Sequence, residues 1–95
     1  MYRTHARVTT PLGRRVLGQL CKHFAHKIPV EHEDARGRAA FPAGECRLFA
    51  DDQGLDLTCE ASSEDDLRRI EGIVAGHLER FLWRTPVAVI WERGA

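Results

Sequence analysis

Apolar residues fall along this chain in two rhythms. Leu12, Val16, Leu17, Leu20 and Phe24 recur at three- and four-residue spacing, and Leu67, Ile70, Ile73, Val74, Leu78 and Phe81 do so again further on. That spacing lines one face of an α-helix. Thr10 offers a cap oxygen before the first stripe, and Pro11 suits the first helical position, where a missing N–H costs nothing. Pro29 ends that helix near Lys27, because the residue before a proline is pushed out of the helical region. The second stripe follows SSEDD at 62–66, which sets cap oxygens and acids at a helix N-terminus. It runs to about Leu82, and Thr85-Pro86 breaks it.

Elsewhere the rhythm is two. RTHARVT at 3–9 reads as a first strand with Ala6 and Val8 on one face, and PVAVIW at 86–91 as a β-branched last strand. The middle reads as four strands separated by DARG at 34–37, PAGE at 42–45 and DDQG at 51–54. Treated as four-residue loops, these turns pair His32 with Ala39, Phe41 with Cys46, and Ala50 with Leu55. Opposed residues share a face. The pairing therefore gathers Val30, His32, Ala39, Phe41, Cys46, Leu48, Ala50, Leu55, Leu57, Cys59 and Ala61 on one side. Glu31, Glu33, Arg38, Arg47, Asp56, Thr58 and Glu60 fall on the other, a segregation that a one-residue slip would destroy. The order β-α-β-β-β-β-α-β predicts an α+β, two-layer sandwich with two helices on one face of a mainly antiparallel sheet. Ferredoxin-like and TATA-binding-protein-like elaborations both fit, with residues 1–95 as a single domain.

Composition narrows the functional classes. At 95 residues there is room for one two-layer core and little for a deep enclosed cavity. No apolar run approaches the ~18 residues of a membrane span. MYRTHARVTTPLGRR has no hydrophobic stretch ending in a small-residue cleavage site, so no secretory signal is expected. Three cysteines at scattered spacing do not make a disulfide framework and suit a reducing, cytoplasmic setting. Net charge is zero, yet residues 1–28 carry six cations and no acid, while residues 29–95 carry eight cations against fourteen acids. Either a basic face forms around the first helix, or the two halves fold together and neutralise locally.

Candidate chemistry gathers in CKHFAHKIPVEHE at 21–33. On a helix, His23 and His26 are neighbours, whereas Cys21 points about 160° from His23 and drops out of any shared site. A metal site would draw on His23, His26, His32 and His77, since zinc takes at least three protein ligands. The alternative is a set of hydrogen-bonded or interfacial histidines. His32 turns toward the inner sheet face, and His77 lies in the second stripe between Val74 and Phe81. Arg15, Lys22, His26 and Lys27 line the outer stripe of the first helix, a candidate surface for an anionic ligand or partner, or a solvated face. Cys46 and Cys59 emerge as cross-strand neighbours, either a thiol pair or two small buried hydrophobes. Zero net charge and few exposed aromatics argue against nucleic acid. Ser62 and Ser63 are explained by capping, and no nucleophile elbow or phosphate loop appears, so no catalytic residue is named.

LCKHFAHKIPVE at 20–31, FPAGECRL at 41–48, HLERF at 77–81 and the closing VIWERGA resemble a bacterial family catalogued as "domain of unknown function 2218". The resemblance implies a small protein found alone or beside siderophore-interacting flavoproteins, hence a place in iron–siderophore metabolism. The matching positions are His23, His26, Lys27, Pro29, Glu31, Gly44, Cys46, His77 and Glu79, and the family brings no catalytic residues with it. The leading expectation is thus a non-catalytic binding module with an anionic small molecule or such a flavoprotein as partner. A metalloprotein or metal-dependent enzyme holding a transition metal is the alternative. A structural adaptor, or a homodimer paired through an edge strand, is the third.

Overall fold

The computed structural model describes residues 1–94. The elements are β1 (Tyr2–Thr9), α1 (Gly13–Ala25), β2 (Val30–Glu33), β3 (Arg36–Phe41), β4 (Gly44–Ala50), β5 (Gly54–Ala61), α2 (Glu64–Phe81) and β6 (Glu92–Gly94). The strands form one six-stranded sheet in the order β2-β3-β4-β5-β1-β6, with every neighbouring pair antiparallel. Both helices pack on one face, α1 chiefly over β2 and β3 and α2 over β4, β5 and β1. The architecture is the expected α+β sandwich. No helix among the described residues is long and apolar enough to cross a membrane.

The inner face carries the apolar set that alternation selects. Ala39, Cys46, Leu48, Ala50, Leu55, Leu57, Cys59 and Ala61 are buried against Val16, Leu17, Leu20, Leu67, Ile70, Val74 and Leu78. Each large aliphatic side chain so buried contributes about 1.5–3 kcal/mol. Ser63 caps α2 by accepting the Asp66 N–H, as its sequence predicts.

Four local expectations need correction. Helix α1 starts at Gly13, with Leu12 rather than Thr10 at the cap. Buried Thr10 instead gives its N–H to the Gln53 carbonyl, and its hydroxyl accepts the Leu12 N–H, so it pins the chain to the β4–β5 turn. Two hairpin loops are shorter than assumed. His32 pairs with Gly37 and Phe41 with Gly44, leaving two-residue loops at Asp34-Ala35 and Pro42-Ala43. Asp34 supports the first with a φ of 50°, a left-handed conformation that Asp tolerates. Each closing pair moves by two residues, an even number, so every side chain keeps its face. The third pairing, Ala50 with Leu55, is as expected.

The fourth correction is at the C-terminus, where only Glu92–Gly94 pair with β1 and residues 86–91 enter no ladder. Val87, Val89 and Trp91 still pack toward the core while Pro86, Ala88 and Ile90 are exposed. The alternation is therefore satisfied by packing, without pairing.

The outer sheet face is uncovered by helices and laced with ion pairs. Arg38 meets Glu31 and Glu45, Arg47 meets Glu45 and Glu60, Arg3 meets Glu60, and Arg7 meets both Asp51 and Asp56. Arg14 adds a pair with Asp52. Three of the six N-terminal cations are thus neutralised by acids distant in sequence, leaving Arg15, Lys22 and Lys27 without carboxylate partners among the described residues. The Arg7 guanidinium, and then the Gln53 and Gly54 N–H groups that Asp51 accepts at 2.8 Å, hold the Asp51 carboxyl below the usual range.

Helix α1 is seated by a backbone contact: a Cβ on Gly13 would collide with the Gly54 carbonyl oxygen and crowd its carbon at 3.0 Å. Gly13→Ala should therefore destabilise by about 1–3 kcal/mol in urea unfolding, although alanine is the better helix former. Gly72→Ala on α2, where an added Cβ meets nothing within 4 Å, should stabilise by up to about 1 kcal/mol.

Candidate functional site

The C-terminal end of α1, the middle of α2 and the end of β3 enclose a cleft of about 270 Å³ lined by His23, Phe24, Lys27, Ile28, Phe41, Ile73 and His77. Its position follows from local structure. The helical ladder of α1 closes with the His26 and Lys27 N–H groups donating to His23 and Phe24, and the Ile28 N–H to Phe24. Pro29 then turns the chain straight into β2, so this helix end stays beside the sheet edge.

Inside the cleft the rings form one aromatic cluster. His23 and His77 lie 4.5 Å apart, centroid to centroid, at an interplanar angle of 47°. Phe24 sits edge-on to His77 at 5.3 Å and to Phe41 at 5.4 Å, and Phe81 flanks His23 at 6.2 Å. The His77 Nδ1–H donates to the Ile73 carbonyl one turn back, 2.7 Å away. That bond fixes the ring and leaves Nε2 open to another partner. Desolvation, and then His77, Lys27, His26 and Arg80, push the His23 pKa below its ordinary value. No carboxylate is among the lining residues. The site is an apolar slot with a cationic rim.

Of the four histidines singled out in the sequence, two meet. His26 is exposed on the outer stripe of α1. His32 is on the helix side of β2 as expected, yet exposed at the sheet edge, its ring beside Gly18. Five residues, about 7.5 Å of helix, separate Gly18 from His23. Among the described residues no three His, Cys, Asp or Glu side chains gather as metal ligands. Of Arg15, Lys22, His26 and Lys27, only Lys27 lines the cleft, while the other three lie along the exposed stripe. Phe24, Phe41 and Ile73 were legible only as core positions; what makes them cleft walls is the meeting of three elements.

Cys46 and Cys59 are direct cross-strand partners, both buried and both free thiols. Cys59 and burial push the Cys46 thiol well up, and Cys21, buried on α1 nearby, adds to the effect. Desolvation raises Cys21 in turn. Burial thus disfavours the thiolate at Cys21 and Cys46, and all three sulfurs pack within the core. A larger concavity of about 690 Å³ lies on the open sheet face, where Arg36 stacks 5.5 Å over Phe49. Its other arginines, Arg38 and Arg47, are spent on ion pairs.

The family model described as "Uncharacterized protein conserved in bacteria (DUF2218)" matches residues 5–92, and the chain belongs to that family. The NMR structure of PA4090 from Pseudomonas aeruginosa is similar over 97% of this chain and 96% of its own, at 30% identity and a TM-score of 0.84. No curated protein matches the chain.

The depressed His23 pKa carries a pH signature. Well above pH 6.5, by about pH 7.5, the ring is neutral in folded and unfolded chains alike and contributes almost no difference. As pH falls, the unfolded chain takes the proton first, so folding stability drops until the folded ring also titrates. Thermal unfolding at pH 7.5 and 5.5 should show a smaller loss of Tm for His23→Gln than for the wild type. Equal losses would refute the assignment.

Proposed function

We propose that this member of the family is a non-catalytic binding module that takes a small anion with an aromatic or apolar body in the α1–α2 cleft. The observation that carries this reading is the lining itself: phenylalanine and isoleucine walls, two facing imidazoles and a lysine, with no acid. Lys27 meets the charge, the open Nε2 of His77 is an acceptor for a ligand hydroxyl, and Phe24, Phe41 and Ile73 hold the body. A cleft of about 270 Å³ suits a ligand the size of a substituted benzoate. Lys27 and Arg80 beside His23 oppose a bound cation, which favours this reading over a metal centre. No hydroxyl, thiol or carboxylate lines the cleft to serve as a nucleophile, which is why binding is proposed in preference to catalysis.

The family's resemblance-based link to siderophore-interacting flavoproteins guides the choice of ligand. Catecholate acids are aromatic anions of the right size, and iron–siderophore metabolism is accordingly the proposed setting. Amide NMR titration with 2,3-dihydroxybenzoate should perturb residues 23–28, 41 and 73–77, with Kd about 0.1–1 mM as expected for so few atoms. Lys27→Glu should weaken binding at least about tenfold, since it replaces the attracting charge with a repelling one. Shifts absent at about 10 mM ligand, or unchanged affinity in Lys27→Glu, would sink the reading. Parallel titration with such a flavoprotein separates a partner surface from a ligand site.

A further inference from the structure

The two edges of the sheet are unlike. At one, β2 presents Glu31, His32 and Glu33, all exposed, and charges on an edge deter pairing with another chain. At the other, the approach to β6 is PVAVIW, six residues without a charge. Residues 86–91 enter no ladder, and no backbone hydrogen bond outside the helices and strands reaches them. Ile90 is 71% exposed and nearby Trp83 67%. A β-branched segment that keeps strand alternation while its backbone groups lack protein partners is a template for strand addition.

The sequence around this segment is complementary to itself. In antiparallel pairing about Ala88, Val87 of each copy faces Val89 of the other, Pro86 faces Ile90, and Arg84 faces Glu92. Arg84 rests 5.0 Å over Trp83 and meets no carboxylate among the described residues, and the Glu92 side chain meets no cation there. With Ala88 opposite Ala88 as a non-hydrogen-bonded pair, Val87 and Val89 exchange the backbone bonds. Pro86, which has no N–H, then falls where no donor is needed. We propose that residues 84–92 form the interface of a twofold homodimer, an antiparallel ladder closed at each end by an Arg84–Glu92 pair. Such a two-strand contact is smaller than a standard interface, and its Kd is expected on the order of 10–100 µM.

Sedimentation equilibrium of the full chain tests this directly. The wild type should dimerise in that concentration range, and Ile90→Lys, which plants a charge on the exposed edge, should weaken dimerisation at least about tenfold. Glu92→Arg alone should weaken it, and Arg84→Glu combined with Glu92→Arg should restore it. Both charged sites are exposed, so circular dichroism should show every variant folded. Protection of the Val87 and Val89 amides from exchange should grow with protein concentration. A monomer at about 1 mM, a dimer indifferent to these substitutions, or concentration-independent protection from zipping onto β1 would each overturn the proposal.

Discussion

Helix α1 can settle only where backbone meets backbone. Gly13 lies against the carbonyl of Gly54 with no space for a methyl group, and Thr10, two residues before the helix cap, is tied to Gln53 of the same turn. A second close approach, Gly37 beneath Cys21, where a Cβ would stand 2.5 Å from the sulfur, lets the helix lie close to β3 midway along. These contacts, with the buried stripe of Val16, Leu17, Leu20 and Phe24, set the rotation and axial position of α1. His23 comes to rest opposite His77, and Phe24 over Phe41, because the helix has nowhere else to go. The cleft is a product of glycine placement as much as of the rings that line it.

This explains which parts of the molecule could be read from residues alone. Side-chain alternation has a period of two, so mistaking two-residue loops for four-residue loops moved the partners of His32 and Phe41 without moving a side chain to the wrong face. Helical phase likewise placed His23 at the edge of one stripe and His77 within the other. Phase gives an angle, however, and says nothing about position along the axis. His32 has the correct face and still misses the other rings, because the strand it occupies lies beside Gly18 and not beside His23. The last strand differs from its pattern for a related reason: packing alone satisfies the alternation in PVAVIW, and pattern cannot distinguish packing from pairing.

Charge was legible in amount and not in destination. The basic first segment and acidic remainder interleave across β1, β4 and β5, so Arg3, Arg7 and Arg14 are matched by Glu60, Asp51, Asp56 and Asp52. Exposed pairs of this kind contribute little each, about 0–1 kcal/mol. Their larger effect is to leave the open sheet face patterned but nearly neutral, while Arg15, Lys22 and Lys27 stay unpaired on and just beyond α1 among the described residues. The cationic rim of the cleft is what survives this cancellation.

The three thiols give the fold a built-in clock. Cys21 sits on the underside of α1, and Cys46 and Cys59 lie on the strands it helps to cover. An oxidant or alkylating reagent in solution reaches them when the helix layer opens from the sheet. Their rate of consumption at a fixed reagent concentration therefore scales with how often this packing opens, and a substitution that loosens the seat of α1 exposes all three thiols together.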